Sequence, residues 1–172
     1  MQMTLASAVL ALACLLPAAA LSQSADDLTG ATLRYQPRAT EAEARAIASA
    51  ILSASEEYGV PALLLWRIGA RESAWLPSVG SGERRGARGE LGYWQVLPAG
   101  AALFECGEGR EPTTPSGGAS IAACWLAHLL RVCGSPSWAV AVAAYGRGRC
   151  PASEAEALSW REVGRVITGG RP

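Results

Sequence analysis

The chain has 172 residues, half of them apolar, and its fifteen basic residues balance its fifteen acidic ones. That length supports one domain with a real core. All the basic residues are arginines scattered along the chain, so no positive stripe tracks a phosphate backbone and nucleic acid is excluded as a partner.

The first segment, Met1 through Ser22, is an apolar run with Pro17-Ala18-Ala19-Ala20 near its end. Ala18 and Ala20 form an A-x-A pattern, which predicts a secretory signal peptide removed after Ala20 or Ser22. The run lacks a basic n-region, and a retained membrane anchor is the rival reading. Residues 23–39 are polar and are expected to be a loose, flexible segment. Thr40-Glu41-Ala42-Glu43 is a capping box that opens a helix through Ile47 and Ile51 to Tyr58, with Gly59 as its stop. Pro77 to Glu90, rich in glycine and carrying Arg84, Arg85 and Arg88, predicts an exposed loop. Pro98 to Phe104 suits a short helix and Pro112 to Gly118 a second loop. Helices are then expected over 119–132, 136–146 and 154–167. Nothing alternates with period two for long, so the fold class is all-α.

Between the capping-box helix and the glycine-rich loop, Val60 to Ser73 reads as a helix with Pro61 in its first turn. It is apolar on nearly every side and should run through the core. At about 100° per residue, Leu65, Ile68 and Gly69 share a face with Glu72, and Arg71 turns away from it. A carboxylate in apolar company resists ionisation, so its pKa should rise towards the range that suits a general acid near neutral pH. The rival reading is an exposed residue at a helix end, which the helix dipole disfavours. Both aspartates, Asp26 and Asp27, lie near the N-terminus, so glutamates supply every other carboxylate.

Export gives Cys106, Cys124, Cys133 and Cys150 an oxidising environment, where they should pair. Cys124 and Cys133 on one helix would stand about 13 Å apart, too far for a bridge. If the following helix folds back antiparallel, Cys150 comes level with Cys124. Of the three possible connectivities one is thus disfavoured, and of the two left open Cys124 with Cys150 and Cys106 with Cys133 is preferred. Metal binding is the rival for these cysteines, but the spacing is wrong for zinc and His128 is the only histidine.

Three ordered blocks carry a resemblance. Glu72-Ser73, then Gly92-Tyr93-Trp94-Gln95 with Val96 and Pro98, then Ala144-Tyr145-Gly146-Arg147-Gly148 are similar to the Glu-Ser, Gly-Leu-Met-Gln and Ala-Tyr-Asn-x-Gly blocks of the soluble lytic transglycosylase catalytic domain. The resemblance covers Thr40 to Ile167, and places a lysozyme-like domain over 40–168. It implies a mostly helical fold, stabilised here by disulfides, whose groove binds peptidoglycan glycan strands. It also implies that Glu72 cleaves between N-acetylmuramic acid and N-acetylglucosamine. Two departures stand out: Tyr93 and Trp94 replace Leu and Met, and Gly146 replaces Asn.

Most glycosidases use two carboxylates, and only Glu72 has a clear position. One acid suffices if the muramic acid C6 hydroxyl closes onto C1, and intramolecular attack supplies the effective concentration that water lacks. The product that the resemblance implies is a 1,6-anhydromuropeptide. Ser73, Tyr93, Trp94, Gln95 and Tyr145 are the expected substrate-binding residues, and no metal or cofactor is required. A goose-type hydrolase using Glu83 or Glu90 to activate water is the nearest rival, and a binding module without chemistry is the more distant one. The expected protein is a monomer, secreted or periplasmic. A secretion-system or envelope complex is the partner class left open. Trp75 and Trp94 could stack on sugars, whereas Trp125 and Trp138 suit the core. Arg84, Arg85 and Arg88 are expected to be solvated, and His128 to be structural.

Overall fold

The computed structural model describes residues 23–103 and 105–169, apart from the side chains of 101–103. The signal-peptide reading on Met1–Ser22 lies outside these residues. Among the described residues there are nine helices: α1 Ala25–Tyr35, α2 Glu41–Tyr58, α3 Ala62–Ser73, α4 Pro77–Gly80, α5 Pro98–Leu103, α6 Pro115–Val132, α7 Trp138–Arg147, α8 Glu154–Ser159 and α9 Arg161–Thr168. Among the described residues the only extended pairing is an isolated bridge between Leu91 and Val96. The all-α reading therefore holds.

Local chemistry explains most helix ends. Thr40 caps α2 through the expected box, accepting from the Glu43 N–H at 3.2 Å, and Gly59 ends the helix in a left-handed conformation. The same device corrects the reading of 23–39. Ser24 and Asp27 form a second capping box, and α1 lays Leu28 and Thr32 against the core, so this polar stretch is ordered and not loose. The loop expected over 112–118 ends early, because Thr114 accepts from the Gly117 N–H and Pro115 occupies the first helical turn of α6. Pro61 stands just outside α3, at its N-cap. The last predicted helix is broken at Trp160, whose extended backbone separates α8 from α9.

The core is built on α2 against α6, with α1 packed on α2. Small buried residues, Ala44, Ala48 and Ala54 on α2 and Ala119, Ala122 and Ala123 on α6, allow close packing of these helices in the core. Between them α3 touches α2, α6 and α9, and buries Leu64, Leu65 and Ile68. Its apolar sequence thus does what was expected: it carries the helix, and Glu72 at its end, through the middle of the domain.

The disulfides pair Cys106 with Cys124 and Cys133 with Cys150, with Cα separations of 5.6 and 5.5 Å. This corrects the expected connectivity. That expectation required α7 to retrace α6; instead Gly148, in a left-handed conformation at the end of α7, turns the chain so that Cys150 meets the end of α6. Each bridge closes a short loop, with sequence separations of 18 and 17. Replacing Cys133 and Cys150 together by serine should lower the unfolding free energy by about 2–4 kcal/mol in a denaturant titration. Peptide mapping of the intact protein should recover 106 linked to 124. A fragment joining 124 to 150 would show that the pairing is wrong.

Candidate active site

The end of α3 is an unusual piece of backbone. Ala74 and Trp75 both adopt positive φ, 50° and 54°, a conformation that costs non-glycine residues of order 1 kcal/mol each. Ser73 holds the turn: its hydroxyl donates to the Gly69 carbonyl at 2.8 Å and accepts from the Trp75 N–H at 3.1 Å. The reversal drives the Trp75 indole back under α3, where it is fully buried. A side chain at Gly69 would collide with that ring. Trp75 in turn touches Trp66, Tyr93 and Trp94, with ring centroids 6.1, 5.4 and 5.4 Å away. An aromatic cluster thus lies beneath the helix end that presents Glu72.

The turn from Leu91 to Val96 packs on this cluster. Its ends exchange two backbone hydrogen bonds of 2.9 Å. Gly92 has φ 72°, and a Cβ there would strike the Pro112 carbonyl, so only glycine fits. Within the turn, Tyr93 and Trp94 point inward and the Trp94 indole N–H donates to the Leu65 carbonyl at 3.0 Å. Gln95 faces outward, donating its amide to the Gly92 carbonyl at 3.0 Å and leaving its side-chain oxygen as an acceptor. Tyr145, in the last turn of α7, donates to the Trp94 carbonyl at 2.7 Å and so ties α7 to the turn.

These elements enclose a polar pocket of about 200 Å³ lined by Glu72, Arg71, Arg88, Glu90, Gln95, Tyr145 and Gly146, among others. The Glu72 side chain is only 22% exposed. Burial raises its pKa above the ordinary value, Arg71 opposes that shift, and the like charge of Glu90 adds to it. The expectation that Arg71 turns away is corrected. Its guanidinium reaches around the helix end to 3.5 Å from the Glu72 carboxylate, because a long side chain spans the angle between neighbouring positions. Glu90 is held in the opposite state. Its own backbone N–H, the Arg88 N–H at 2.8 Å and the Arg88 guanidinium at 2.9 Å keep its pKa below the ordinary value. Burial and the nearby Glu72 charge push the Tyr145 phenol far up, so it stays neutral.

A family model described as the transglycosylase SLT domain matches residues 49–162, a span that contains all three sequence blocks and this pocket. The chain belongs to the transglycosylase SLT family. No curated protein matches the chain, and no solved structure does. An SLT domain is a lytic, peptidoglycan-cleaving transglycosylase in type, and the enzyme class follows at that level.

The SLT pocket opens into a neighbouring hollow of about 90 Å³, sharing Arg88, Gln95 and Tyr145 with it and adding Val96, Ile121 and Trp125. A further hollow of about 350 Å³ continues past Val96 and Ile121 towards Arg110. The result is a groove with a polar end at Glu72 and an apolar middle. A larger concavity, about 670 Å³ between α2 and the start of α6, is lined mainly by small residues and lies away from Glu72.

Of the expected site residues, the SLT fold brings Glu72, Gln95 and Tyr145 together. Ser73, Tyr93 and Trp94 are buried, at 5%, 6% and 0% exposure, and serve as turn holder and core, so direct substrate contact by these three is corrected. Trp75 cannot stack on a sugar for the same reason. Trp125, expected in the core, is half-buried on the groove wall and stacked on His128 at 5.4 Å. Helical spacing could not separate groove from core, because the groove runs along α6 itself. Arg88 is exposed, as expected, and also lines the pocket rim, whereas Arg84, Arg85 and Glu83 are exposed and stand outside the pocket. Arg71 was missed; the signal available was its position next to the acid.

Proposed function

We propose that this SLT domain cleaves the bond between N-acetylmuramic acid and N-acetylglucosamine with Glu72 as its one acid and base, releasing 1,6-anhydromuropeptides. Glu72 protonates the bridging oxygen as the bond to C1 breaks. As a carboxylate it then takes the proton of the muramic acid C6 hydroxyl, whose oxygen closes onto C1. Gln95 offers an acceptor to a sugar hydroxyl, and Tyr145, locked to the Trp94 carbonyl, holds the pocket wall at Glu72. The observation that carries this reading is the carboxylate of Glu72, shielded from solvent and raised in pKa at the end of a groove. Two disulfides support an exported, oxidising location.

One observation favours a hydrolase as second reading: Glu90 shares the pocket and is kept ionised while Glu72 is pushed towards its protonated form. Two carboxylates with divergent pKa values are the usual acid and base pair. Mass spectrometry of digested sacculi separates the two. Anhydro ends from both the parent and Glu90→Gln are expected. Reducing ends from the parent, lost in Glu90→Gln, would establish hydrolysis, and intact sacculi with bound protein would reduce the domain to a binding module.

A further inference from the structure

Arg71 stands where two cavities meet. It lines the Glu72 pocket and also a separate hollow of about 350 Å³ between α1, α3 and α9, whose walls include Trp66, Arg67 and Arg165. Its guanidinium occupies the space beside Gly146, where a Cβ would come within 3.4 Å of both terminal nitrogens. The side chain is 29% exposed, and its one ion pair among the described residues is the 3.5 Å contact with Glu72, which is too long to use its hydrogen-bonding fork well. Arg67, one turn earlier, is by contrast spent on the Val166 and Ile167 carbonyls, at 3.2 and 2.7 Å.

A guanidinium carries five donors in a fork that matches a carboxylate. Here it is half-buried, permanently charged and aimed into the junction with most donors unused. The other carboxylates around it have closer partners: Glu162 of α9 feels the Arg71 charge but pairs with Arg147 at 3.6 Å, and Glu90 pairs with Arg88 at 2.9 Å. Tyr145 of α7 is neutral and donates elsewhere. Among the described residues, the 3.5 Å approach of Glu72 is the closest that any carboxylate makes to this fork.

We propose that Arg71 is a specificity-determining residue that receives a carboxylate of the muramoyl unit at this junction, and that the bare backbone of Gly146 gives the guanidinium its place. The inference rests on the peptidoglycan-cleaving reading and narrows its substrate to carboxylate-bearing strands. The carboxylate comes either from the lactyl group of a peptide-free sugar or from the first residues of a stem peptide. Charge-assisted, two-pronged recognition also competes with Glu72 for the cation, so occupancy favours the protonated acid.

The test measures kcat/KM on peptide-free glycan strands, on peptide-bearing strands, and on each after conversion of its carboxylates to methylamides. The parent should prefer the acidic form of at least one strand type about tenfold to a hundredfold, and the type that shows the preference identifies the carboxylate. Arg71→Gln should bring the acidic and amidated rates together, and Arg71→Lys should keep part of the difference. Gly146→Asn, which crowds the guanidinium, should erode the preference in the parent but have no further effect on it in Arg71→Gln. Melting temperatures close to the parent's keep these comparisons free of folding effects. A parent that does not discriminate, or an Arg71→Gln variant that loses equally on both forms, overturns the proposal while cleavage stands. A parent that cuts none of the strands sinks the peptidoglycan-cleaving reading instead.

Discussion

Glu72→Gln should bind glycan strands as the parent does and release soluble fragments about a hundred- to ten-thousandfold more slowly, the loss that follows removal of a general acid. Glutamine keeps the size and shape of the side chain, but its amide N–H is not an acid and cannot protonate a leaving oxygen. The pH profile adds a second check. A general acid must be protonated to act, so with Glu72 in that proposed role activity should decline as pH rises through its pKa, which burial places above the ordinary 4.5. Removing the like charge with Glu90→Gln should move this alkaline limb to lower pH, and removing the cation with Arg71→Gln should move it higher. Stability follows the same linkage. Below the unfolded pKa the group is protonated in both states and costs nothing. As pH rises from there through the raised folded value, the buried group must ionise or hold its proton against solution, and stability falls. Glu72→Gln should therefore melt higher than the parent at pH 7 and equally at pH 4. Full lytic activity in this variant would remove Glu72 from the chemistry.

Trp94→Ala is expected to give the largest stability loss, about 3–5 kcal/mol for emptying a fully buried indole site. It also removes the indole N–H that the Leu65 carbonyl, inside α3, accepts as a further partner at 3.0 Å. Trp94→Phe, which keeps much of the packing and loses that hydrogen bond, should cost about 1–2 kcal/mol. Activity should fall with stability, because the Trp94 carbonyl holds Tyr145 and the adjacent Gln95 lines the pocket. A sugar-stacking Trp94 predicts a different pattern, a raised KM with unchanged denaturant midpoint. Finding that pattern would return Trp94 to the groove.

The difference between these two predictions marks how far the chain could be read unaided. Glu72 was visible because a carboxylate at the end of an apolar helix conflicts with its surroundings, and such conflicts collect at functional sites. Tyr93 and Trp94 were misread because a turn gives no periodicity from which to tell its two faces apart. Their direction depends on Trp75 folding back beneath Gly69, which needs two left-handed residues in succession after Ser73. Trp125 posed the reverse problem: α6 buries one side in the core and lines the groove with its flank, so an aromatic at helical spacing was compatible with either.

The order of residues along the chain by itself determined the helical class, the Thr40 and Gly59 boundaries of α2, the course of α3 through the core and the acid at its end. Each follows from caps, periodicity and polarity, which act over a turn or two of backbone. Only the tertiary structure decided that Cys133 joins Cys150, that Ala25–Tyr35 docks as α1, that Gln95 and not Trp94 faces the groove, and that Arg71 occupies the space beside Gly146. Those outcomes join segments up to dozens of residues apart. They turn on where a few reversals, at Trp75, Gly92 and Gly148, send the chain, and a reversal has no repeating pattern to announce its direction.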